Sequence, residues 1–283
     1  MVDLLCMKPS TPGRSEGKPP LAFHITMRLV RDGAIARHPG ELRRAARLIY
    51  KHGTPRGLLA FRIADTHVHV LAQATRQQAG ALAQAVQSAL KQALHLDSPF
   101  ERARYRAIES ERHLFNALRY VFRQEEHHGT RFDPAHDGSS LPELLGMRML
   151  DRDVAAQRLG SLLPRLSREA LATVAGALEL EQVKPHTSLL AEAAAAALGI
   201  TELGGDRPGA SWRRAAVHAG KELEVTQLAS MLGASRRTIR RLRTTQVSAS
   251  VLHAVEQQWR LRTALFVALR QLGSLDGERT ETD

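Results

Sequence analysis

The chain has 283 residues, of which 43% are hydrophobic and 24% are charged, a balance typical of a globular protein rather than a disordered or fibrous one. Its 40 Lys and Arg residues outnumber the 29 Asp and Glu residues, which gives a formal net charge of +11 at pH 7. An excess of this size favours a polyanionic partner, most often nucleic acid, although an arginine-rich coding bias would produce the same surplus. No apolar run approaches the length of a transmembrane helix, so we expect no membrane partner.

The two ends of the chain differ in composition from its middle. Residues 1–20 are rich in proline, glycine and charge, and they predict a disordered lead-in without the pattern of a signal peptide. Cys6 is the only cysteine, so the chain cannot form an internal disulfide, which favours a cytoplasmic location. Residues 273–283 predict a polar tail.

From residue 21 onward the periodicity switches between strand-like alternation and helical spacing. The predicted order is strand, helix, strand, strand, helix, strand and helix. These elements cover residues 21–31, 39–53, 57–73 (two strands split at Ala64–Asp65), 77–94, 105–110 and 111–126. This order predicts a ferredoxin-like, split βαβ domain with an antiparallel sheet over residues 21–135.

The second half of the chain has helical spacing only. Polar residues 136–140 indicate a hinge between the two halves, and Gly204, Gly205 and Pro208 separate two groups of helices. We therefore expect a helical region of unknown role at 141–203 and a helix-turn-helix module at 209–272. The predicted fold class is α+β, with the sheet domain first and an all-α region after it.

A pair of histidines two residues apart, His67 and His69, lies on a predicted strand with Val68 between them. Residues two apart on a strand point to the same face, so both imidazoles could bind one divalent ion. A pair of this kind arises by chance in roughly one sequence in four of this composition. Tyr120 and Gln124 stand four apart on the predicted helix 111–126 and share a face, which could supply a nucleophile and a third ligand. The alternative is a half-buried core tyrosine and a solvated glutamine.

At these residues the sequence resembles the HUH-class single-tyrosine transposases, in particular the REP-associated tyrosine transposases. The matching segments are FHITMRLVR, GLLAFRIADTHVHVLA and YRAIESERHLFNALRYVFRQ, which agree in order and spacing over residues 21–128. The resemblance implies that Tyr120, in an Arg-Tyr pair, is the nucleophile and that His67, His69 and Gln124 bind Mg²⁺ or Mn²⁺. Asp65-Thr66 stands where the family usually has Asn before the first histidine, and the segment after Gln124 lacks the family's Asn-Pro-Val stretch.

The activity that the resemblance implies is metal-dependent cleavage and transfer of single-stranded or hairpin DNA through a covalent 5′-phosphotyrosine intermediate. It also implies a homodimer. The chain would then be a transposase or a domesticated descendant of one. One alternative is a DNA-binding regulator that keeps the fold without catalysis. Another is a plasmid replication initiator or relaxase, which shares the paired histidines but matches this spacing less well.

A second motif lies at residues 225–243, VTQLASMLGASRRTIRRLR. Ala229, Gly233 and Ile239 have the spacing at which two short helices pack across a turn, and the segment resembles the helix-turn-helix of bacterial regulators. Ser235 is placed to cap the second helix. The exposed face of that helix is predicted to bind duplex DNA through Arg236, Arg237, Thr238, Arg240, Arg241 and Arg243. The alternative is an ordinary helical hairpin with a basic face.

Overall fold

The amino-terminal half of the chain forms a four-stranded sheet with helices on both faces. A computed structural model describes residues 19–31, 33–127, 132–150, 152–167, 170–171, 180–203 and 211–277. The predicted lead-in lies outside these residues except for positions 19 and 20. The predicted tail lies outside them from residue 278 onward.

The strands and helices of this half follow the predicted order along the chain. The elements are β1 (Ala22–Arg28), α1 (Pro39–Gly53), β2 (Leu58–Ile63), β3 (His67–Ala72), α2 (Arg76–Ala93), β4 (Arg104–Ile108), α3 (Glu111–Phe122) and α4 (Gln124–His127). The spatial order of the strands is β2-β3-β1-β4, and each neighbouring pair is antiparallel. The prediction of an α+β protein with an antiparallel sheet is therefore confirmed.

Local sequence signals explain where these elements begin. Thr75 and Gln78 form a capping box at the start of α2, each side chain bonding to the backbone N–H of the other. Ser110 accepts a hydrogen bond from the backbone N–H of His113 and so caps α3. Gly57 ends the turn after α1 in a left-handed conformation, with φ of 83°.

The two faces of the sheet contact different parts of the chain. On one face, Phe23, Ile25 and Met27 of β1 are buried against α1 and α2. On the opposite face, Leu71 of β3 packs against α3 and against apolar residues from beyond residue 132. This second face also carries His67 and His69 of β3.

The predicted helix 111–126 is interrupted. Helix α3 ends at Phe122, and Arg123 leaves the helical conformation with φ of −103° and ψ of 34° before α4 begins at Gln124. The prediction of one continuous helix was wrong here. Tyr120 and Gln124 consequently lie on two different helices.

The polar segment 136–140, predicted to be a hinge, is buried against β2. Ile63 donates its backbone N–H to the carbonyl of Gly138 at 2.8 Å, and Phe61 donates its own to Ser140 Oγ at 2.8 Å. Asp137 is 5% exposed and Ser139 is fully buried. The hinge prediction was wrong because the polar side chains here form hydrogen bonds in the interior rather than with water.

The carboxyl-terminal half is helical, as predicted. Its helices are α5 (Leu141–Leu144), α6 (Arg152–Leu162), α7 (Leu190–Ala197), α8 (Ser211–Ala219), α9 (Val225–Met231), α10 (Arg236–Arg243) and α11 (Ala249–Gly277). Helix α11 continues past the boundary predicted at residue 273. Among the described helices, none is long and apolar enough to cross a membrane.

Charged side chains connect the two halves of the chain. Asp137 accepts hydrogen bonds from Arg43 of α1 at 3.3 Å and from Arg262 of α11 at 2.9 Å. Arg43 also bonds to Glu192 of α7 at 2.5 Å. Arg47 of α1 donates to the carbonyl of Gly199, just after α7, at 2.6 Å. We call Arg43, Asp137, Glu192 and Arg262 the ionic junction.

Candidate active site

The register of the sheet places the two predicted histidines beside polar residues of β1. Thr26 lies opposite His69 and Arg28 lies opposite His67. Facing residues of paired antiparallel strands point to the same side of the sheet, as do residues two apart on one strand. His67, His69, His24 and Thr26 therefore share the face opposite to the one covered by α1 and α2.

Hydrogen bonds orient the two predicted histidine ligands. The rings of His67 and His69 have centroids 4.6 Å apart and are nearly perpendicular. His69 Nδ1 lies 2.8 Å from His24 Nε2, and His67 Nδ1 lies 3.2 Å from Thr66 Oγ1. In metal sites, a hydrogen bond at one ring nitrogen of a histidine orients the other nitrogen toward the ion.

Tyr120 lies at the edge of this group. Leu114, Leu118 and Val121 bury one side of α3 in the core, which turns Tyr120 toward the histidines. Its side chain is 39% exposed, and its ring centroid is 5.5 Å from that of His69 and 5.9 Å from that of His24. An exposed phenol beside two imidazoles is accessible to an extended substrate.

Two clefts meet at Tyr120. The smaller cleft, of about 240 Å³, includes both predicted histidine ligands, and the larger, of about 500 Å³, runs between β4 and α3. Both clefts share four lining residues, which are His24, Thr26, Arg104 and Tyr120. A substrate strand that follows both clefts would therefore pass across the tyrosine.

The clefts are strongly cationic. Arg28, Arg102 and Arg104 line the smaller cleft together with one carboxylate, Glu101, which lies 3.7 Å from the Arg104 guanidinium. Arg104 and Arg106 line the larger cleft. Arginine side chains in this density favour a polyphosphate backbone.

His24 remains neutral in this environment. Burial lowers the pKa of His24 to about 4, and the positive charges of Arg106 and His113 act in the same direction. A neutral imidazole has one donor and one acceptor nitrogen, so His24 can accept as well as donate a hydrogen bond. The next residue along this face of β1, Thr26, has its Oγ1 3.5 Å from His69 Nδ1, which is a long contact.

Gln124, the predicted third ligand, has a different location. It begins α4 after the break at Arg123, is 3% exposed, and is not among the described residues that line the two clefts. The structure therefore places His67, His69 and Tyr120 along one cleft, whereas Gln124 is buried to the same extent as His69, which is also 3% exposed. Within the described residues, no three His, Cys, Asp or Glu side chains form a metal-binding group.

The side chains that line the cleft supply some of the ligands that a divalent ion requires. Two imidazoles on one face, each with Nδ1 in a hydrogen bond, match the nitrogen ligands that Mn²⁺ accepts more readily than Mg²⁺ does. Gln124, the predicted third ligand, is not among the described residues that line this cleft. No role was predicted for His24 or Thr66. Thr66 directly precedes His67 in the sequence, and the strand register places His24 on the same face as His69.

The predicted recognition helix forms a second basic surface. Gly233 has φ of 56° at the turn between α9 and α10, and Ser235 Oγ accepts the backbone N–H of Thr238 at 3.1 Å. Ile239 and Leu242 of α10 are buried against α9 and α8. Thr238 is half-buried, and the five predicted arginines Arg236, Arg237, Arg240, Arg241 and Arg243 are exposed. The guanidinium of Arg243 donates a hydrogen bond to the backbone carbonyl of Leu223 at 2.6 Å.

Comparisons with known proteins do not identify a relative. The chain matches no protein-family model, no curated protein and no solved structure at a significant level. A functional assignment therefore rests on the geometry of the cationic clefts and of the basic helix α10.

Proposed function

We propose that this protein is a cytoplasmic enzyme that cleaves and rejoins single-stranded DNA, with Tyr120 as the nucleophile. The observation that carries the proposal is the exposed phenol of Tyr120, 5.5 Å ring to ring from His69, where two arginine-lined clefts meet. The strand order β2-β3-β1-β4 supports a ferredoxin-like, split βαβ reading of the sheet domain. That reading agrees with the resemblance to single-tyrosine transposases.

The reaction is a phosphoryl transfer that conserves bond energy. The phenol oxygen of Tyr120 loses its proton and forms a bond to phosphorus, while the bond from phosphorus to the 3′ oxygen breaks. The 3′ oxygen leaves as a hydroxyl, and the 5′ side of the strand stays attached to the tyrosine. Attack by a second 3′ hydroxyl on the phosphotyrosine reverses these bond changes and joins strands, so no nucleotide cofactor is needed.

The residues of the chain supply binding and orientation. Arg28 and Arg104 would hold phosphates on either side of the scissile bond, because both line the smaller cleft. His67 and His69 would hold a divalent ion, Mg²⁺ or Mn²⁺, with Gln124 as the third ligand. When bound, the ion supplies Lewis-acid stabilisation of charge on the phosphate.

Formation of a covalent adduct tests the nucleophile directly. A pool of hairpin-bearing single-stranded oligonucleotides, labelled at the 3′ end, is incubated with protein and Mn²⁺ and separated under denaturing conditions. We expect labelled adduct with the wild type and none with Tyr120→Phe. Tyr105→Phe is the matched control, since Tyr105 lies on β4 with Arg76 stacked 3.5 Å from its ring. Equal adduct from wild type and Tyr120→Phe would disprove the assignment.

A non-catalytic DNA-binding regulator is the second candidate. The break at Arg123 favours it, because it places Tyr120 and Gln124 on two different helices rather than on one face of a single helix. Calorimetric titration with Mn²⁺ distinguishes the two functions. The enzyme requires binding that is lost in His67→Ala, and absence of binding to the wild type favours the regulator.

We also propose that α10 binds duplex DNA through its exposed arginines. Each arginine that neutralises one phosphate releases counterions, so its removal reduces the slope of log affinity against log salt by about 0.9. We expect that reduction for Arg240→Gln, measured with duplex DNA across a salt series. Arg44→Gln is the matched control, because Arg44 is exposed on α1 rather than on α10. Equal slopes for both variants would exclude α10 as the duplex-binding helix.

A further inference from the structure

A third cleft meets the other two at Tyr120. It has a volume of about 490 Å³, and Arg119 and Arg123 are among its lining residues. Asn116 and Tyr120 line both this cleft and the one between β4 and α3. The two residues stand four apart on α3, so Asn116 lies on the same face of the helix, one turn before the proposed nucleophile.

The two walls of the cleft between β4 and α3 differ in chemistry. The β4 wall carries the guanidinium groups of Arg104 and Arg106, whereas the α3 wall carries His113, Asn116 and Ala117. Arginine side chains that contact phosphates position a nucleic acid but carry no sequence information. A single strand whose phosphates lie against β4 would therefore turn its bases toward α3.

Asn116 is suited to contact one of these bases. It is exposed, and its amide both donates and accepts hydrogen bonds, whereas the surrounding arginines only donate them. The next residue, Ala117, has a small side chain, which leaves room beside the amide in a cleft of about 500 Å³. The edges of an unpaired base are open to side chains, and an asparagine amide can form two hydrogen bonds with N6 and N7 of adenine.

We propose that Asn116 is a specificity-determining residue that selects adenine at the nucleotide next to the scissile phosphate. This inference rests on the proposed function, because Asn116 adjoins the scissile phosphate only if Tyr120 is the nucleophile. His113 lies on the same wall, but it is seven positions before Tyr120, about two turns of the helix away. The amide of Asn116 is therefore the group on this wall that contacts the base nearest to the cleaved bond.

Base selection can be measured without cleavage. A pool of single strands of random sequence is incubated with the full chain in EDTA, and the bound strands are sequenced. We expect the wild type to favour adenine at one position by about 5- to 150-fold, the range for a pair of hydrogen bonds to one base. The preference should be lost in Asn116→Ala and retained in part in Asn116→Gln, which keeps the amide.

Arg106→Gln is the matched control, because Arg106 lies on the opposite wall of the same cleft. We expect it to weaken binding of all sequences alike, to reduce the slope of log affinity against log salt by about 0.7, and to leave the adenine preference unchanged. Absence of a base preference in the wild type would overturn the proposal. A preference that persists in Asn116→Ala, or that His113→Ala removes instead, would also overturn it.

The position of the selected base is determined by sequencing the cleavage products of the adduct assay. We expect adenine directly beside the cleaved bond with the wild type and no preferred base there with Asn116→Ala. Cleavage without adenine beside the bond would overturn the role of Asn116 and leave the proposed reaction intact. Selection of adenine through Asn116 without any adduct would support the base contact and disprove the proposed reaction.

Discussion

Arg62 and Arg104 occupy two ends of one row across the sheet, and their environments are opposite. The row runs from Arg62 of β2 through His69 and Thr26 to Arg104 of β4. Arg62 is 1% exposed and donates to the carbonyl of Asp133 at 3.2 Å, whereas the side chain of Arg104 is 82% exposed. Burial lowers the pKa of Arg62 to about 10, which the carboxylate of Asp133 partly opposes.

The difference shows how one sheet face can serve both stability and binding. Above β2, the segment after residue 132 covers this face of the sheet. Charged side chains there, such as Arg62, are therefore buried and hydrogen-bonded within the protein. Above β4, no such segment covers the face among the described residues. The arginines there remain hydrated and can bind anions. Burying a charge is costly unless it is paired, so the open side is where arginines can outnumber the carboxylates beside them.

The largest expected effect comes from an enclosed arginine. Arg148 and Glu143 form an ion pair in which both side chains are fully buried, and Arg148 also donates to the carbonyl of Asp137 at 2.6 Å. We expect Arg148→Met to reduce the free energy of unfolding by about 3–5 kcal/mol, because it leaves a buried carboxylate without its partner. Urea denaturation measures this change.

The matched control for that prediction lies on the open side. Arg104→Met should change the free energy of unfolding by less than about 0.5 kcal/mol, because its side chain is exposed. Similar losses for Arg148→Met and Arg104→Met would contradict the distinction between enclosed and open charges.

A smaller effect is expected from acidification of the enclosed side. His136 Nδ1 accepts the backbone N–H of Gly138 at 3.2 Å, and burial, with the charges of Arg62, Arg148 and Arg262, lowers the pKa of His136 well below 6.5. The unfolded chain therefore binds this proton more readily, so the stability contributed by neutral His136 is present above pH 6.5 and decreases as the pH falls below it.

The variant His136→Asn isolates the contribution of His136 to the pH dependence of stability. The amide oxygen of the asparagine can accept the hydrogen bond from Gly138, and this side chain does not titrate. We expect the decrease in stability between pH 6.5 and more acidic pH to be smaller in His136→Asn than in the wild type, as measured by urea denaturation at several pH values. His38→Asn is the control, because His38 is exposed. A pH dependence identical to that of the wild type would contradict the prediction.

The smallest effect concerns DNA binding on the open side. If Arg104 contacts one phosphate of a single strand, Arg104→Met reduces the slope of log affinity against log salt by about 0.7. Arg62→Met should leave the slope unchanged, because Arg62 lies under the covering segment. Fluorescence anisotropy with a labelled single strand measures both slopes, and equal reductions would show that the strand does not follow the β4 side.

Local patterns were sufficient to predict much of the sheet domain. The alternation of β1, the histidine hairpin and the periodicity of α2 are properties of neighbouring residues, so they could be read from the sequence. The positions of His67, His69 and Tyr120 around one cleft followed from the resemblance together with the predicted elements. The basic face of α10 and its serine cap were also local features.

What could not be predicted depends on contacts between distant segments. His24 bonds to His69 across 45 positions of sequence, and Ser140 bonds to Phe61 across 79. The polar segment around Ser140 has the composition of a loop, so only its burial partners reveal that it belongs to the core. The break at Arg123 was missed because helical periodicity continues through it in the sequence.

The ionic junction also determines how the chain can be divided. Asp137 bonds to arginines of α1 and α11, which are separated by more than 200 positions, and Glu192 bonds to the first of them. A cut before Asp137 would leave Arg43 in the amino-terminal fragment without either carboxylate partner, and a cut after Asp137 would remove Glu192 and Arg262 from the junction. The two halves that appear as separate domains in the sequence are therefore joined by ion pairs whose members come from both of them.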